Sequence, residues 1–151
     1  MNYRKFFGRK SEEVAKDLLG KLLLKTTDTG STSGRIIQTG AYECGNETPS
    51  REGMKYAPGT LFLMPYRGSS LLNIATDERG FPSCVEIREI AFHDGKITGS
   101  GAVAKFFEIG ADLDGILLGD EIQIIGEPVD RSKVKKIHGA VDNCIGYFLI
   151  K

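Results

Sequence analysis

Apolar positions along the chain recur at two spacings. In residues 11–20 (SEEVAKDLLG), Val14 and Leu18, with Leu19, fall on one helical face. Ser11 is placed to cap that helix, Glu12 and Glu13 suit its positive N-terminal end, and Gly20 suits its stop. Beyond it the pattern turns to strands. Residues 21–26 and 35–42 predict a hairpin around the turn sequence of 28–34. Residues 43–59 are rich in Gly, Pro, Asn and Glu and carry no period, which predicts a long loop, a class that is often functional. Further strands are predicted over 60–64 (stopped by Pro65), 71–75, 83–91, 121–125 and 144–150, with turns at 66–70 and 76–82 and a turn-rich stretch at 93–101. A short helix is predicted over 102–110, ending at Gly110. The sum is one α+β domain over residues 1–151: a curved, mainly antiparallel sheet with a few short helices.

Composition narrows the class. A chain of 151 residues with 40% hydrophobic and 26% charged positions has enough apolar side chains for one core and is not a disordered or fibrous composition. No apolar run reaches the ~18–20 residues that cross a bilayer, and the basic start lacks the apolar stretch of a signal peptide. The expectation is a cytoplasmic protein, not held at a membrane and acting as a monomer. Cys44, Cys84 and Cys144 have no zinc-type spacing, so reduced thiols are expected and no metal. Twenty basic and twenty acidic residues cancel. Two basic clusters nonetheless exist, Arg4, Lys5, Arg9 and Lys10 near the start and Arg131, Lys133, Lys135 and Lys136 near the end. They fit either solvated faces or phosphate contacts.

Six short segments, in order, point further. AKDLLGKLLL (15–24), GRIIQTGAY (34–42), TPSREGM (48–54), PGTLF (58–62), LLNI (71–74) and CVEIRE (84–89) resemble segments of the alkyladenine (3-methyladenine) DNA glycosylases, in the same order and at similar spacing. The likeness weakens after residue 100, where SGAVAKFF and KIHGA are the remaining matches. The resemblance implies a DNA repair enzyme that needs no cofactor. Such an enzyme flips an alkylated purine out of double-stranded DNA and hydrolyses its N-glycosidic bond.

The resemblance also implies roles. Tyr42 matches the aromatic that stacks on the extruded base, and Met64, or Leu63, lies where a second pocket aromatic is expected. Asn73 matches the pocket Asn that blocks the exocyclic amine of guanine. Tyr66, beside Arg67, matches the wedge that fills the gap left in the stack, so both are candidate DNA contacts. Arg88 matches an Arg that helps to hold the nucleophilic water and the DNA backbone. Each residue also has a plainer reading, as sheet packing, a surface aromatic or an ion pair with Glu86 or Glu89.

One departure dominates. The family carries its catalytic Glu two residues before the stacking Tyr, and here that position is Gly40. The family's pocket His, expected after Tyr42, is absent too. Glu43 is a candidate replacement if the strand ends or bulges at Tyr42, a bulge that Gly40 would permit; Glu47, Glu52 and His138 are others. Three outcomes stay open: a glycosylase with a substitute base or restricted to labile cationic lesions, a relative that grips DNA without cleaving it, and a domain with no DNA role.

Overall fold

The longest strand organises the molecule. In the computed structural model, which describes residues 1–43, 48–127, 129–138 and 145–150, β2 runs from Gly30 to Tyr42. Its first half pairs with β1 (Leu22–Thr27) and its second half, on the same edge, with β9 (Ile145–Ile150). Its other edge pairs with β5 (Cys84–Ala91). The sheet continues from β5 to β4 (Ser69–Ala75) and β3 (Leu61–Tyr66), and from β1 to β7 (Ile122–Ile125). The short β6 (Ile97–Thr98) joins β5, and β8 (Val134–His138) joins β9. Every named pair among the described residues is antiparallel. Four short helices complete the α+β domain: α1 (Tyr3–Phe7), α2 (Ser11–Leu18), α3 (Thr48–Gly53) and α4 (Val103–Phe106).

Strand alternation divides the side chains between two faces. Ala41, Leu61, Leu72, Ile74, Val85 and Ile87 join the main core with α2, whose Val14, Ala15 and Leu18 are fully buried. Thr39 is tied to the same side, its hydroxyl donating to the Ala15 carbonyl at 2.8 Å. The opposite face carries a second cluster of Tyr42, Phe62, Ala75 and Cys84, with Tyr56 and Met64 packed on it.

Several local features differ from the expectation. Lys10, not Ser11, is the N-cap of α2, and the buried Ser11 hydroxyl caps nothing. Gly20 follows the helix end with φ 87°, as a left-handed terminator should. The first hairpin turns tightly, because pairing already begins at Thr27 and Gly30. Residues 43–59 are not all loop, since α3 lies within them. Pro65 does not stop β3; it pairs with Ser70, because β3 is an edge strand whose outer backbone groups need no neighbour. The turn that follows is only Arg67 and Gly68, both at positive φ (48° and 79°), the backbone of a type I′ hairpin. The helix expected over 102–110 is shorter and begins as a single 3₁₀ turn at Ser100–Ala102. The strands β6 and β8 and the helix α1 were not expected.

Candidate active site

On the face opposite α2, four adjacent strands place one row of residues side by side. Phe62 on β3 pairs with Asn73 on β4, Asn73 with Glu86 on β5, and Glu86 with Gly40 on β2. In the next row Ala75 pairs with Cys84 and Cys84 with Tyr42. Arg88 has no partner on β2, because the register shifts there between Gln38 and Thr39, and its guanidinium reaches Glu86 on the same side. Tyr42, Asn73 and Arg88 therefore share one face, with Glu86 among them.

The contacts tie the group together. The Tyr42 hydroxyl donates to Glu86 Oε1 at 3.1 Å, and Arg88 Nη1 approaches the same oxygen at 3.8 Å. Asn73 is 1% exposed; its Nδ2 donates to the Leu71 carbonyl at 3.2 Å, and its Oδ1 accepts from Cys84 Sγ at 3.6 Å. Those two contacts fix the orientation of the Asn73 amide. Phe62 is buried beneath Tyr56, the rings stacked with centroids 5.2 Å apart. Met64 continues that wall.

Glu86 is unusual for its position. It is 2% exposed on a strand whose neighbours Val85 and Ile87 are core residues. Burial pushes its carboxyl pKa up, because the charged form loses water; the Arg88 charge and the Tyr42 and Ser100 hydroxyls oppose that shift. The Ser100 hydroxyl donates to the Arg88 carbonyl at 3.3 Å, and Glu86 Oε2 is buried with no hydrogen bond among the described residues. Burial, and then the neighbouring Glu86, push the Cys84 thiol well above its ordinary range, so it is an inert buried thiol.

A sequence model of the methylpurine-DNA glycosylase family matches residues 5–138. The chain belongs to this family. A protein of Anaeromyxobacter named "Putative 3-methyladenine DNA glycosylase" is 29% identical over 150 residues, covering 87% of this chain and 75% of that relative. Proteins of the same name from Bacillus velezensis and Bacillus subtilis are 35% and 32% identical, over 60% and 61% of this chain. Each of those two alignments covers 52% of the relative, so the match spans about half the length of the Bacillus proteins.

Within this glycosylase fold the remaining expected residues separate. Tyr66 continues the parity of Phe62 and Met64 and ends β3 at the hairpin tip, 54% exposed, with the Arg67 guanidinium 5.1 Å from its ring centroid. By strand rise it stands roughly 13 Å along β3 from Phe62. Glu43 does not join the group. The strand does end at Tyr42, but it carries no bulge at Gly40, where the register from Thr39 to Tyr42 is regular; the irregularities lie between Ile36 and Thr39. The Glu43 carboxylate instead accepts from the Glu12 backbone N–H at 3.3 Å, on the α2 side. Glu52 is bound to Lys55 at 2.8 Å. Glu47, Cys44, Cys144 and the His138 side chain lie outside the described residues.

The basic clusters are also partly spent on α2. Arg9 pairs with Asp17 at 2.9 Å, and Arg131 with Asp17 at 2.7 Å and Glu13 at 3.1 Å. Among the described residues no group of three or more His, Cys, Asp or Glu could hold a metal ion, and no helix is long and apolar enough to cross a membrane.

Two participants escaped the sequence reading. Tyr56 was hidden in a segment read as loop. Glu86 was read only as an ion-pair partner of Arg88; the available signal was an acid two residues before an Arg on a strand of otherwise core residues.

Proposed function

We propose that this chain is a DNA repair glycosylase that removes alkylated purines of the 3-methyladenine type from double-stranded DNA. The observation that carries the reading is the gathering of Tyr42, Asn73 and Arg88 around a buried carboxylate, in a chain of the methylpurine-DNA glycosylase family. The damaged nucleotide leaves the stack, since no atom of the glycosidic bond can be reached inside the duplex. Tyr66 and Arg67, at the exposed hairpin tip, enter the duplex and fill the gap. The electron-rich ring of Tyr42 receives the cationic purine, Met64 walls the pocket, and the amide of Asn73, oriented by Leu71 and Cys84, excludes the amine of guanine. Arg88 holds the attacking water and the phosphate chain. A single chain in the cytoplasm is the acting unit, with no cofactor.

The test is release of free 3-methyladenine from methylated duplex DNA, followed by chromatography. Release above the spontaneous rate that Tyr66→Ala removes is the expected result. Lesion-dependent, salt-sensitive binding with no release would instead identify a non-cleaving relative, and absence of both would remove the DNA role.

A further inference from the structure

We propose that Glu86 is the general base of this chain, supplied from β5 to the space that the family fills from β2, where this sequence has Gly40. The inference rests on the glycosylase reading and deepens it.

The register makes the exchange possible. Gly40 and Glu86 are direct cross-strand partners. Directly opposed residues project on the same face with Cβ positions about 4.5–5.5 Å apart. A side chain on β5 at this position therefore stands beside the volume into which a side chain of residue 40 would project. Moving the acid by one strand keeps it beside Tyr42, Asn73 and Arg88, which are fixed by the same sheet.

The environment argues against a purely structural Glu. Val85 and Ile87, on either side, are core residues, yet Glu86 between them is 2% exposed. A buried carboxylate is costly unless its oxygens are satisfied. Oε1 receives Tyr42 and faces Arg88, and the Ser100 hydroxyl also favours the carboxylate, whereas Oε2 itself is buried with no hydrogen bond among the described residues. A buried acceptor left in that state in a native protein calls for a ligand or a function, and water is the ligand that fits one lone oxygen. The upward push that burial gives Glu86 makes it a stronger base than an exposed carboxylate. The other described candidates are occupied, Glu43 by the α2 N-terminus and Glu52 by Lys55.

The step balances without a co-reactant. Glu86 Oε2 accepts a proton from the water as the water oxygen bonds to C1′ of the deoxyribose. The C1′–N bond breaks, and its electron pair leaves with the purine, cancelling the positive charge that alkylation created. The proton on Glu86 then exchanges with solvent.

The experiment is single-turnover release of methylated purine from methylated duplex DNA by wild type, Glu86→Gln and the exchange variant Gly40→Glu with Glu86→Leu. Melting temperature and binding to an abasic-analogue duplex are measured alongside. Glu86→Gln should bind and fold but release about 10²–10⁴-fold more slowly, and the exchange variant should recover rate over it. The wild-type rate should also fall on acidification through the raised Glu86 value, a limb absent from Glu86→Gln; Arg88, Tyr42 and Cys84 are the other titratable groups facing that carboxylate. A folded, binding Glu86→Gln that releases at the wild-type rate overturns the inference. If Glu86→Gln does not fold, the wild-type profile decides: an acid limb supports it and a flat profile overturns it. A wild type that releases nothing above the spontaneous rate is a failure of the glycosylase reading itself.

Discussion

The Tyr42 hydroxyl donates a 3.1 Å hydrogen bond to Glu86 Oε1, joining the last residue of β2 to the middle of β5 across a buried face of the sheet. Hydrogen bonds to charged groups contribute about 1.5–3 kcal/mol, and leaving such an acceptor unmet costs a similar amount. Tyr42→Phe, which keeps the ring and loses only the donor, should lower unfolding free energy by that order in urea titrations. It should also push the Glu86 carboxyl further up, since one of the groups opposing the shift is gone.

Glu86 makes stability depend on pH in a defined direction. Its folded-state value is raised by burial above that of an unfolded chain. Between the two values the folded state binds more protons than the unfolded one. Stability is therefore fully present below the ordinary carboxylate range and falls as pH rises through the raised value. Glu86→Gln removes this titration. Denaturation curves at a series of pH values should show the variant gaining on wild type as pH rises; parallel curves would contradict the sign.

The Glu43 carboxylate accepts from the Glu12 backbone N–H at the N-terminus of α2. Glu43→Ala should leave purine release unchanged. It should cost the helix no more than about 1 kcal/mol, the typical worth of an N-terminal cap, less here because the contact is exposed. A release assay beside a thermal melt separates the two effects. Loss of release without loss of stability would return Glu43 to the site.

Tyr66 stands exposed at the β3–β4 hairpin tip. Tyr66→Ala should change unfolding free energy by about 0.5 kcal/mol or less, as for most exposed substitutions. Binding to an abasic-analogue duplex and release of methylated purine should both drop. The measurement is a pair of titrations, duplex binding and urea unfolding, on the same preparation.

The legible parts of the site were those with a local signal. Tyr42, Asn73 and Arg88 stand in recognisable segments, and strand alternation alone puts Gly40 and Tyr42 on one face. Glu86 was illegible because its meaning lies in a partner 46 positions away, set by the β2–β5 register. Pro65 misled because a proline breaks an inner strand but not an edge one, and only the sheet order says which β3 is. The helix α3 was missed because one turn leaves no period, although Pro49 in its first turn is a helix-start signal. The charged strand β8 carried none of the apolar alternation by which strands are recognised, since it lies outermost on β9.

The sequence by itself determined the family, the α+β class, the strand parity that puts Tyr42 and Gly40 together, and the vacancy at residue 40. These follow from local spacing and residue type, which need no knowledge of neighbours. The tertiary structure alone decided that a buried carboxylate of another strand stands directly across from Gly40 and that the Glu43 carboxylate belongs to a helix end. Both depend on which strands pair and in what register, and that is set by burying one face of the whole sheet at once.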